Sequence, residues 1–302
     1  AQALMEREGR AVPTAPDMPF NLTSFLAASA ILFSSFIGFD SIAQAGGEAK
    51  NPARALPLAI AIAVVTVGAF YFLFTAAVYH AIPWQFVAER ALEQDITAPG
   101  LLGYVLSPGW TILIVAGAAI ALANDLPAML LSVSRLVFAW AEDRIFPSGL
   151  AAVHPVWKTP HRALLLSGVM ASVGILGSHF ASDFFLGIDI MVTSMLVNFL
   201  LMCLSVLALP YRNPEIAGDV TVMKNTGLRS VVVATGALLI TLFLVVHIWK
   251  DLSADVSAWY FHSTWTWLIV MALASVVYFR EIRRLRAAGV DVEAMYATLP
   301  PE

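Results

Sequence analysis

The chain has 302 residues, 59% of them hydrophobic and only 13% charged, with mean hydropathy +0.79 and formal net charge −4. Soluble domains average about 45–50% apolar and about 25% charged residues, so this balance excludes an ordinary soluble domain and points to an integral membrane protein. The single cysteine, Cys203, lies inside an apolar run and reads as a small buried hydrophobe, which excludes a disulfide framework and a cysteine metal cluster.

Residues 1–20 carry Pro13, Pro16 and Pro19 and read as a polar connector rather than a helix. The first apolar span, Leu22–Ala49, holds Gly38-Phe39-Asp40 near its middle. A carboxylate at mid-depth costs at least a few kcal/mol and therefore marks a site by default. Gly38 suits the end of one half-helix because it accepts positive φ, and Asp40 suits the N-cap of the next. The span is thus expected to be two half-helices joined by an unwound stretch at roughly Phe36–Phe39. Non-helical backbone at this depth persists only where it is buried in protein or lines a cavity. Discontinuous helices of this kind form the substrate sites of secondary transporters.

Six further spans follow. The second runs from about Pro57, placed as a helix start, to Ile82. In the loop after it, Pro83–Gln94 is expected to form an interfacial helix with Trp84 and Phe86 at headgroup level. The third span, Gly109 to Ala141, exceeds the roughly 20 residues a bilayer needs and is kinked at Pro127. The fourth, Ala163–Ser178, is rich in small residues (Ser167, Gly168, Ala171, Ser172 and Gly174), suited to close helix contact. The fifth is Phe184–Leu209, the sixth Ser230–Trp249 and the seventh Trp259–Phe279, whose helix runs on to Arg286. Placing residues 1–20 outside puts thirteen of the 17 Lys and Arg residues on the inner flanks and four on the outer ones. That bias supports seven spans and a cytoplasmic C-terminus in the cell (inner) membrane.

Two stretches carry a resemblance. Phe36-Ile37-Gly38-Phe39-Asp40, with Glu48-Ala49-Lys50-Asn51-Pro52-Ala53-Arg54 and Pro57 after it, resembles the sixth-helix signature of amino acid–polyamine–organocation superfamily permeases. Ser134-Arg135-Leu136-Val137-Phe138-Ala139-Trp140-Ala141-Glu142-Asp143-Arg144, with Pro147 and Lys158-Thr159-Pro160, resembles the eighth helix and the loop after it. The match runs from about Leu22 to Arg286. It implies an all-α polytopic membrane protein of the LeuT-type inverted-repeat fold, present here as helices six to twelve, with helices one to five missing. The implied parts are a connector (1–20), the second five-helix repeat (21–210), a cytoplasmic loop (211–228), a terminal transmembrane hairpin (229–286) and a cytoplasmic tail (287–302). The implied function is secondary active transport of an amino acid or related amine by alternating access, coupled to H+ or Na+, in contact with lipid but with no nucleic acid and no cofactor.

The candidate residues each have a plainer alternative. In the resembled family the segment Phe36, Ile37, Gly38, Phe39 and Asp40 holds the substrate's amino group; as ordinary residues these aromatics would face lipid or core. A half-helix C-terminus at Phe36–Phe39 has a partial negative charge that attracts an ammonium group. Asn124 and Asp125 on the third span are candidates for ion coupling, against an Asp paired locally beside Pro127. Glu48, Lys50 and Arg54 are candidates for a cytoplasmic gate, against a solvated turn obeying the charge bias. Thr193, Ser194 and Asn198 read as interhelical hydrogen-bonding groups. The competing class is a seven-helix receptor or photoreceptor. A retinal protein needs a lysine at mid-membrane, whereas Lys50, Lys158, Lys224 and Lys250 fall in loops or at span ends. No H-E-x-x-H motif or matched Ser–His pair argues for an enzyme.

Overall fold

A computed structural model describes residues 2–7, 9, 20–44, 50–93, 96, 98–181, 185–220, 222–256 and 258–297. Among them every regular element is helical. In chain order these are α1 (Gln2–Arg7), α2 (Leu22–Phe33), α3 (Phe39–Gln44), α4 (Pro52–Ala81), α5 (Trp84–Glu93), α6 (Ala98–Leu102) and α7 (Pro108–Glu142). Then come α8 (His161–Ala181), α9 (Phe185–Arg212), α10 (Pro214–Asp219), α11 (Thr226–Ser253), α12 (Ser263–Ala287) and α13 (Val292–Ala297). Helices α4, α7, α8, α9, α11 and α12 are long and apolar enough to cross a membrane, and Leu22–Phe36 is a shorter apolar run. The seven expected apolar spans are therefore present as helical segments, the first of them short because it is interrupted.

Asparagine starts three of the helices. The Oδ1 atoms of Asn21, Asn213 and Asn225 accept from the backbone N–H of Ser24, Ile216 and Leu228 at 3.0, 3.3 and 3.1 Å. Each satisfies one donor that the first helical turn leaves unpaired. Helix α4 begins earlier than expected. Pro52 fills its first position, so Pro57 lies inside the helix rather than at its start. A proline at the first position gives up an N–H that had no partner, which suits Pro52 to the start of α4.

Two compact units emerge. One comprises residues 1–20 and 58–129, the other 21–57 and 130–302. In the first, Leu4, Met5, Val78, Ile82 and Phe86 form a small buried core, with Leu101, Leu102 and Tyr104 against it. The N-terminal stretch is thus helical at Gln2–Arg7 and not only a connector, because Leu4 and Met5 find an apolar seat at the end of α4. Helix α5 forms where expected, with Trp84 exposed and Phe86 fully buried against the core. Its ring meets Tyr104 edge-on at 5.1 Å and carries the Arg90 guanidinium over its face at 5.4 Å. The same core places α1 and α5 at one end of α4.

The second unit is a bundle in which α2, α9 and α11 pack on one another and α12 packs on α9 and α11. Small or branched side chains mark the contacts: Ala27 and Ala30 on α2, Val192 and Leu196 on α9, and Ala237 on α11 are all buried. Between membrane helices, close approach of this kind replaces the hydrophobic drive that lipid cannot provide. Helix α8 packs on α9 and on the 3-10 turn Ser148–Ala151, where the Arg162 guanidinium donates to the Gly149 carbonyl at 3.2 Å. Its buried positions are Ala163 and Ser167, whereas Gly168 and Gly174 face open space. Of the small residues expected at a helix contact, Ser167 is thus buried and the two glycines are not. Gly187 instead lies close to Ser178, where an added Cβ would meet the Ser178 hydroxyl at 3.2 Å.

Candidate functional site: a broken helix held against α9

The regular ladder of the first span stops at Phe33 and passes into one 3-10 turn, Ser34–Phe36. The Ile37 N–H donates to the Ser34 carbonyl at 3.0 Å, after which Ile37 takes φ −57° and ψ 141°, outside the helical region. Gly38 follows at φ +122°. A Cβ at Gly38 would meet nothing within 4 Å, so backbone conformation alone calls for glycine here. The chain then re-enters a helix at Phe39. The break falls on the segment expected from the sequence.

Asp40 is placed one step differently. Since α3 opens at Phe39, Gly38 occupies the cap position and Asp40 the second helical position. Gly38 can take the backbone angles the turn requires and Asp40 need not, which moves the helix start back by one residue.

Phe199 of α9 spans the break. Its ring stacks on Phe39 at 5.5 Å, with 18° between the planes, and meets Phe33 edge-on at 5.9 Å. One side chain therefore touches both half-helices, and the 3-10 turn also packs on α9. Sequence reading missed Phe199, because apolar residues run along most of α9 and no periodicity singles out one ring. Phe36, Ile37, Gly38 and Phe39 are each half-buried.

Each of the other expected site residues that the structure describes is placed by its own element. Asn124 and Asp125 lie within the uninterrupted helix α7 and are both exposed. Lys50 and Arg54 are exposed at the start of α4, and Glu48 lies outside the described residues. Thr193 acts as expected, in an interhelical bond: its Oγ1 donates to the Asp189 carbonyl at 3.0 Å and lies 3.1 Å from His247 Nε2 on α11. His154 organises its own loop, its Nδ1 accepting from the N–H of Val156 and Trp157 at 3.2 and 3.3 Å. At the far end of α12, burial, then the Tyr278 phenol and the Asp143 and Glu281 carboxylates, hold the Tyr296 hydroxyl above its usual range.

Among the described residues every regular element is helical, six helices are able to cross a bilayer and a seventh apolar helix is interrupted at a glycine, which is the architecture of a polytopic membrane protein. Residues 8–276 match the family model described as amino acid permease, and the chain belongs to that family. It is 38% identical over 150 residues, 49% of this chain and 32% of the relative, to an uncharacterized transporter of Mycobacterium tuberculosis (strain ATCC 25618 / H37Rv). It is 34% identical over 156 residues to the cationic amino acid transporter 4 of Mus musculus, covering 51% of this chain and 24% of that protein. The methylthioribose transporter of Bacillus subtilis (strain 168) is 26% identical over 280 residues, 89% of this chain and 53% of the relative. The chain thus spans between about a quarter and about half of the length of these relatives. No solved structure matches it.

Proposed function

We propose that this chain forms the second half of a secondary transporter that carries an amino acid or related amine across the cytoplasmic membrane by alternating access. One observation carries the proposal: the break at Ile37–Gly38, with Gly38 at φ +122°, seated against Phe199 of α9. Membership of the amino acid permease family supports it. Residues 21–210 are then the second repeat of a LeuT-type fold, α11 and α12 form the terminal hairpin that follows it, and the C-terminus lies in the cytoplasm. Helices one to five, from chain outside this sequence, complete the site. Phe36, Ile37, Gly38 and Phe39 hold the substrate's ammonium group, and Asp40 sets the field beside it. Asn124 and Asp125 serve the coupling ion, H+ or Na+, and Glu48, Lys50 and Arg54 form the inner gate. Relatives named for a cationic amino acid and for methylthioribose support a small polar substrate.

The test uses the complete transporter in sealed vesicles with labelled amino acids. Asp40→Asn removes the charge but keeps a short polar side chain in the first helical turn. Uptake should fall or shift its pH profile while the melting temperature stays near that of the parent. Unchanged uptake and an unchanged profile would remove Asp40 from the site and leave the backbone of residues 36–39 to carry it.

A further inference from the structure

We infer that the C-terminal end of α12 holds the phosphate of an anionic phospholipid between Arg280 and Arg284. A cavity of about 430 Å³ lies there, lined by Pro147, Val277, Arg280, Glu281 and Arg284. Its depth follows from helix length. The 25 residues of α12 span about 37 Å at 1.5 Å per residue. A hydrocarbon core is about 30 Å thick. Arg280 and Arg284 lie about 26 and about 32 Å along it from Ser263, so they bracket the edge of the core and their long side chains reach headgroup level.

Charge and shape then select the ligand. Arg280 and Arg284 are four residues apart, so their side chains emerge on one face. Arg280 has no ion pair among the described residues, and Arg284 meets only Glu281, its near Nη atom 3.7 Å from the carboxylate. A guanidinium has five N–H donors, so this one loose contact leaves most of them available to a second anion. Glu281 is buried, while both arginines are exposed at the cavity rim. The cavity is floored by Val277 and Pro147, and above it on α12 Leu273 and Val276 are 63% and 55% exposed. A stripe that changes from apolar to basic along the helix matches an acyl chain ending in a phosphodiester. A free phosphate would leave the apolar part unused. Arginine also suits phosphate by its fork of donors.

The experiment titrates the detergent-purified chain with phosphatidylglycerol or phosphatidylcholine and counts retained lipid by native mass spectrometry. The parent should retain phosphatidylglycerol selectively. Arg280→Gln should weaken that retention roughly fivefold, the share expected of one basic residue near an anionic surface. Arg284→Gln should do the same. Arg286→Gln removes the same charge two residues away, off the Arg280–Arg284 face, and should change it less than about twofold. Arg280 has no ion pair among the described residues, so its variant keeps the test valid if Arg284→Gln unfolds. Equal loss with Arg286→Gln would mean a diffuse attraction and overturn the site. Displacement of the lipid by millimolar glycerol phosphate would assign the cavity to a soluble phosphate and overturn the lipid.

Discussion

Helices α4 and α9 have the same peak hydropathy, 2.3, and nearly the same length, 30 and 28 residues. Yet none of the most apolar stretch of α4 is buried, whereas 17% of that of α9 is. Hydropathy states that each helix can enter a bilayer and says nothing of what it touches there. Lipid tails are as apolar as leucine, so contact between membrane helices depends on packing and hydrogen bonds. Helix α9 supplies both, through Phe199 against α2 and α3 and through Thr193 against α11. The apolar stretch of α4 presents Val65, Phe70, Phe72 and Leu73 outward. Such a surface is left for lipid or for further helices.

Phe199→Ala and Phe70→Ala break this comparison most directly. A fully buried Phe→Ala change loses about 3–5 kcal/mol. Phe199 is half-buried, so about 2 kcal/mol of bundle stability should go with it. Phe70 is 63% exposed, and its loss should stay within about 0.5 kcal/mol, as for other surface substitutions. Denaturant unfolding of the chain in mixed micelles reads both. Equal losses at the two positions would show that the rings on α9 are no more engaged than those on α4.

The same contrast explains which parts were legible in the sequence. The helix break could be read because glycine and aspartate inside an apolar span violate the local rule, and Gly38 indeed takes positive φ. Span positions could be read from hydropathy alone. Helix faces could not, since apolar residues run along most of α2, α9 and α11 and contact depends on shape, as at the fully buried Ala30 and Leu196. Helix α1 escaped notice because six residues are too few for a periodic signal, and only the seat offered by Val78, Ile82 and Phe86 orders them. The tail after Ala287 escaped for the same reason. Val292 of α13 packs on Ile282 and Leu285, so it is not simply a polar end.

Ala30→Leu sharpens the comparison at the next level. Ala30 is fully buried in α2, which packs on α9 and α11, and three added carbons have no space there. Overpacking a filled contact costs about 1–3 kcal/mol, and the lower half of that range suits helices that can shift slightly in a micelle. Ala69→Leu on α4, where Ala69 is exposed, should change stability by less than about 0.5 kcal/mol. Thermal melts of the two variants side by side would decide it. A lower melting temperature for Ala69→Leu than for Ala30→Leu would reverse the assignment of packed and open helices.

The smallest effect belongs to the polar link between α9 and α11. His247 is buried, and its Nε2 lies 3.1 Å from Thr193 Oγ1 and 3.3 Å from the Asp189 carbonyl. The Thr193 hydroxyl gives its proton to that carbonyl, so the Thr193 oxygen can only accept from the ring. Nε2 must then carry a proton and donate to both oxygens. Thr193→Val keeps the side-chain shape and removes one of the two acceptors. The ring retains the Asp189 carbonyl, so no buried donor is stranded. Interhelical hydrogen bonds in membranes average about 0.6 kcal/mol, and the loss should lie near that value. Thr66→Val on α4, where Thr66 is exposed, should be neutral. His247→Phe removes the donor and leaves Thr193 bonded to Asp189, so it also should lose little through this link. The double variant should therefore be less destabilised than the sum of the two single ones, by about the strength of the shared bond. Strict additivity in that cycle would show that the two side chains do not interact, and that α9 and α11 are joined by packing alone.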